Sequence, residues 1–169
     1  MTTITQPDIL VVRYLNSKRQ VAVPSDVPYE EVGYESNLDV MKPKFEKDSP
    51  DGPGYETSVY YYDPKEGIDW EDGIATFKKG GNPEVPAFAH VTNVGAVMRE
   101  GLYVASQPLC EGSRHASIRG WSADPQRMRE QYEDLAVNGE CAIRPDMEGK
   151  MMNRARSIWT QQHPTKDDQ

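Results

Sequence analysis

Residues 8–15, DILVVRYL, form an apolar run that is followed by the polar NSKR and then by QVAV. A β-branched run, a four-residue polar turn and a short return run predict a β-hairpin. Val23-Pro24 closes it, because proline has no N–H to give to a ladder. From Pro24 to about Glu56 the periodicity dissolves. Val27, Tyr29, Val32, Tyr34, Leu38, Val40, Met41 and Phe45 follow no period, and DSPDGPG adds strong turn chemistry. So long a run without a pattern reads as an irregular arm. TSVYYYD (57–63) and GIATFKKG (73–80) then predict two strands joined by the acidic loop PKEGIDWED.

The second half is more regular. AFAHVTNVGAVMREGLYVAS (87–106) reads strand, turn, short helix, glycine stop, strand. Thr92 or Asn93 caps the helix, which runs through Glu100 to a stop at Gly101. Asp124 and Pro125 open a clearer helix, whose stripe is Met128, Tyr132, Leu135 and Ala136 and whose end is Asn138-Gly139. GECAIRP predicts a short strand. A last helix, roughly Glu148–Gln162, presents Met151, Ala155, Ile158 and Trp159 on one face.

These elements define an α+β protein. Residues 1–85 are a β-rich half carrying the arm at about 24–56. Residues 86–169 are a smaller αβ half with two to three short helices, and the two could also form a single domain. Composition makes the core thin: 37% of residues are hydrophobic, with three Phe against nine Tyr and three Trp.

The net charge of −8 is uneven. Residues 1–85 hold 16 acidic and 9 basic side chains, whereas residues 86–169 hold 11 and 10, with eight Arg among the ten. An acidic first half repels phosphates, so nucleic acid is not the expected partner; the alternative is a local patch of Arg114, Arg119 and Arg127. No run of 18 apolar residues and no secretory n- and h-region is visible, so the expectation is a soluble chain with no membrane partner, in the cytoplasm or within a virus particle.

Cys110 and Cys141 make no zinc spacing and read as two buried free thiols, though one disulfide is conceivable. Glu66, Asp69, Glu71 and Asp72 miss the EF-hand spacing and read as a solvated loop, so no metal is expected. No P-loop or GxGxxG is present.

One constellation does suggest chemistry. His90 and Thr92 form H-x-T at a strand end, the next helix closes on Gly101-Leu102, and Arg114-His115 follows. This order resembles the first half of ADP-ribosyltransferase-like folds, in particular the RNA 2′-phosphotransferase branch. The resemblance covers about 60 residues, with Val91 standing where the family has glycine. It implies NAD contacts from His90 and Thr92, phosphate contacts from Arg114 or His115, and a catalytic carboxylate at Glu140. Read without the resemblance, His90 is a hydrogen-bonded packing residue and no cofactor is needed.

With no site demanded by motif, the first expectation is a structural or accessory subunit of a larger assembly, with a phage-like virus particle as the class in view. Its partners would be other protein subunits, contacted through Tyr29, Tyr34 and Phe45 of the arm and Met151, Ile158 and Trp159 of the last helix. The alternative is the NAD-using enzyme built on residues 87–144.

Overall fold

The computed structural model describes residues 2–17, 19–74 and 84–165. Its strands are β1 (Thr2–Ile4), β2 (Leu10–Leu15), β3 (Val21–Ala22), β4 (Glu35–Ser36), β5 (Lys44–Glu46) and β6 (Gly54–Tyr62), then β7 (Phe88–Asn93), β8 (Tyr103–Ser106), β9 (His115–Arg119) and β10 (Glu140–Ile143). The helices are α1 (Val94–Arg99), α2 (Pro125–Val137) and α3 (Glu148–Gln162). Eight strands form one antiparallel sheet in the order β1-β8-β9-β6-β2-β7-β10, with β5 also paired to β6. The fold is α+β. Strands from both sides of residue 85 are interleaved in this one sheet, β6 and β2 lying between β9 and β7.

The sheet buries both faces. On one, Val11, Leu15, Val59, Phe88, Val104 and Ile118 pack against residues of all three helices and against Val40 and Met41. On the other, Val12, Tyr14, Tyr60, Tyr62 and Ala89 pack beneath Ile68 and Trp70. A strand buried on both faces shows an apolar run rather than alternation, and LVVRYL of β2 is such a run broken only by Arg13.

The expected N-terminal hairpin is not formed. β2 pairs with β6 on one side and β7 on the other, at the centre of the sheet, while β3 pairs with β4 in a separate two-stranded ribbon. Two long apolar strands offer β2 more burial than the two-residue β3 does, so the non-local pairing wins. Of the strand expected at 73–80, Gly73 ends a 3-10 turn that Ile74 caps. The rest of it lies outside the described residues.

The segment 24–56 holds only the short β4 and β5, a 3-10 turn at Tyr29–Glu31 and the start of β6, with irregular backbone between them, and it is laid against the core. Val32, Val40 and Met41 are buried. Thr57 Oγ1 donates to Met41 O at 2.8 Å, and Trp159 Nε1 donates to Val27 O at 3.1 Å. The second half follows its local signals closely. Asn93 caps α1 by accepting from Ala96 N at 2.8 Å, Gly101 takes the left-handed φ of 78° just beyond the helix, and Asp124 caps α2 ahead of Pro125.

Candidate functional site

Two of the polar assemblies on the sheet contain a histidine. The first centres on β6 and β9. Their register sets Ser58 opposite Ser117 and Tyr60 opposite His115, so Ser58 and His115 lie diagonally on the same face. Ser58 Oγ is 2.6 Å from His115 Nε2, and His115 Nδ1 is 2.9 Å from Gln107 O. A backbone carbonyl only accepts, so Nδ1 holds the proton and Nε2 presents its lone pair to the Ser58 hydroxyl. The Tyr60 ring stands edge-on to His115, with centroids 5.4 Å apart, and limits how the imidazole can turn.

Gln107 joins this pair to a buried ion pair. Its side chain accepts from Ser117 Oγ at 2.6 Å and donates to Asp51 Oδ2 at 2.7 Å and Glu56 Oε2 at 3.1 Å. Arg119 NH1 is 2.8 Å from Glu56 Oε2, and Arg119 NH2 donates to Gly52 O at 2.9 Å. The turn DSPDGPG is thereby pinned over the sheet.

On the edge of β6 next to β2 there is an interval. β2 pairs with β6 only from Tyr60 onward, and β5 only up to Glu56. Arg13 reaches across it and donates from NH1 to Ser58 O at 2.8 Å. Here lies a cavity of about 270 Å³, lined among others by Arg13, Lys42, Lys44, Ser58 and His115.

The second assembly surrounds His90, which is fully buried. Nε2 is 3.0 Å from Leu135 O and Nδ1 is 2.8 Å from Ser36 Oγ, so Nε2 carries the proton and Nδ1 accepts from the serine. Burial pushes its pKa below the ordinary value of 6.5. Both ring nitrogens are engaged within the protein. Cys141 lies directly across from His90, and burial pushes its thiol up to about 11. Beside them, between residues 34–38 and the end of α2, opens a groove of about 750 Å³.

The residues of the NAD reading do not converge. His90 and Thr92 share a face of β7, but Glu140 pairs with Val91, and strand alternation sends it to the other face. Arg114 lies over the Tyr61 ring, 5.7 Å from its centroid, and 3.7 Å from Glu66, while His115 projects to the opposite face. Thr92 Oγ1 is buried without a hydrogen-bond partner.

The expected contact residues divide. Tyr34 packs on Phe88 with ring centroids 4.6 Å apart, and Met151 is buried in the core. Ile158 is half-buried. Trp159 stacks on His163 and meets Tyr29 edge-on. Phe45 is exposed and contacts Tyr55 across the β5–β6 pair. Cys110 and Cys141 are both free, and Cys110 is exposed rather than buried.

Sequence reasoning named His115 for another role and missed Ser58, Gln107 and Glu56. Only the alternation in TSVYYYD could have marked Ser58, as a polar position on a strand face otherwise held by Tyr60 and Tyr62. Among the described residues, no cluster of three or more His, Cys, Asp or Glu could hold a metal ion, and no helix is long and apolar enough to cross a membrane. Neither protein-family models, nor curated proteins, nor solved structures yield a match to this chain.

Proposed function

We propose that the chain is a structural or accessory subunit of a larger assembly and that it acts by binding another protein, with a virus particle as the kind of assembly in view. The observation that carries this reading is the groove of about 750 Å³ between residues 34–38 and the end of α2, whose lining includes two strongly exposed aliphatic side chains. Leu38 is 53% exposed and Val137 68%. Single exposed apolar residues are ordinary, but two at one concavity offer an anchor site for a partner's apolar side chain. Glu35 and Glu140 line the same groove. The favoured occupant is therefore a protein segment with an apolar anchor flanked by basic residues.

The test is a photo-reactive amino acid at position 137 of the full chain in its native source. A defined adduct with one protein, abolished by Leu38→Glu, is the expected result. Native assemblies that form normally with Leu38→Glu and Val137→Glu combined would remove the groove from the interface.

A further inference from the structure

We propose that Ser58 is an activated nucleophile, with His115 as its general base, in a site suited to small carboxylic esters whose acyl part carries a negative charge. This inference does not rest on the partner-binding groove, which lies elsewhere on the molecule.

Three observations meet at Ser58. Its hydroxyl is 2.6 Å from the unprotonated nitrogen of His115, within the reach that proton abstraction requires. The Gln107 carbonyl, 2.9 Å from Nδ1, holds the imidazole in the required tautomer and accepts the hydrogen bond of the imidazolium that forms, the part a carboxylate plays in a serine triad. The adjoining cavity of about 270 Å³ is lined by three cations, Arg13, Lys42 and Lys44, against Glu46 and Glu56. Arg119 takes up the charge of Glu56 at 2.8 Å, so the lining is left positive in a chain of net charge −8. That field favours an anionic substrate and the negative oxygen of a tetrahedral intermediate.

The chemistry balances. Ser58 Oγ bonds to the ester carbonyl carbon as its proton passes to His115 Nε2. The carbon–alkoxide bond then breaks and the alcohol departs with that proton. Water attacks the acyl-serine with His115 again as base, and the carboxylic acid leaves as the Ser58 hydroxyl is restored. Ester and water become acid and alcohol.

Ser36 and His90 form a similar pair at 2.8 Å, and the comparison sharpens the choice. His90 is fully buried, and a Cβ at Gly139 would lie 2.3 Å from its Nε2, so neither solvation nor movement is available to an imidazolium there. His115 is half-buried and Ser58 exposed, so both water and substrate can arrive.

The experiment treats the full chain with a fluorophosphonate probe, in which serine oxygen replaces fluoride on phosphorus, and locates the adduct by peptide mass spectrometry. One adduct at Ser58 is expected, absent in Ser58→Ala and formed at least about a hundredfold more slowly in His115→Gln. An adduct at Ser36, no adduct at Ser58, or an unchanged rate in His115→Gln would overturn the proposal. Should His115→Gln fail to fold, the unmodified chain still decides. Mono-p-nitrophenyl adipate, whose carboxylate is too distant to expel the nitrophenolate readily by itself, should be hydrolysed at least about tenfold faster than p-nitrophenyl hexanoate after subtraction of their uncatalysed rates. Equal or slower turnover of the anionic ester would overturn it.

Discussion

Arg119 and Glu56 face each other across 2.8 Å with only 8% and 11% of their side chains exposed. Each charge has left water on the strength of the other and of the neutral groups around them. Ser49 Oγ accepts from Arg119 NH1 at 2.8 Å and donates to Glu56 Oε2 at 2.9 Å. Removing one partner strands the other in a medium that solvates it poorly. Glu56→Ala should therefore destabilise the chain by about 3–5 kcal/mol in urea unfolding. Arg129 and Glu133 on α2 form an ion pair at 2.7 Å that is open to water, and Glu133→Ala should leave the midpoint unchanged. Similar losses from both substitutions would show that burial does not set the difference.

Gly139 tests how tightly His90 is held. A Cβ there would meet His90 Nε2 at 2.3 Å and Val91 O at 2.8 Å, and neither the locked ring nor the strand backbone can yield cheaply. Gly139→Ala should cost about 1–3 kcal/mol through overpacking. Gly101 has φ of 78° and open space around it, so Gly101→Ala should cost about 1 kcal/mol through backbone strain alone. Thermal melts of the two variants separate crowding from conformation.

The buried imidazole also makes stability depend on pH. His90 titrates below 6.5 in the fold because burial opposes its charge, whereas in the unfolded chain it takes a proton near 6.5. Between the two values the unfolded state binds more protons, so stability rises with pH across that window. It is complete above about 6.5 and declines on acidification towards the folded pKa. In nitrogen-detected NMR titrations His90 should be mostly neutral at pH 6.5 and take its proton only below it. An imidazole that protonates at 6.5 or above would contradict the burial seen here.

The two thiols should react in order. Cys110 is exposed, whereas Cys141 is partly buried with its thiol pushed up to about 11. Thiolate is the reacting form, so at pH 8 iodoacetamide should alkylate Cys110 in the native protein and reach Cys141 only once the chain unfolds. Peptide mass spectrometry of briefly treated protein reads this directly.

Trp159 ties the irregular segment to α3. Its indole N–H donates to Val27 O at 3.1 Å, and its ring meets Tyr29 with centroids 5.4 Å apart. Trp159→Ala should raise hydrogen exchange across residues 27–32 while leaving β6, β7 and β9 protected. The lost hydrogen bond and ring contact together suggest a cost of about 1–3 kcal/mol. Uniform loss of protection through the sheet would assign Trp159 to the core.

What the sequence determined by itself is the local structure of the second half. Asn93, Gly101, Asp124 and Pro125 act through bonds and dihedrals within a turn of their own position, so caps and stops could be read without knowing the rest of the fold. The alternation in residues 57–63 likewise marked most of β6. Only the tertiary structure decided what pairs with what. β2 lies between β6 and β7 because long apolar strands distant in sequence bury it better than the short run that follows it. His90 appeared as a lone residue until β7 packed beside Leu135 and Ser36. Ser58 and His115, separated by 57 positions, meet because one antiparallel register places them diagonally on the same face. A one-residue slip would send either side chain through to the other side of the sheet. Register is a property of the assembled sheet, and no short stretch of this chain encodes it.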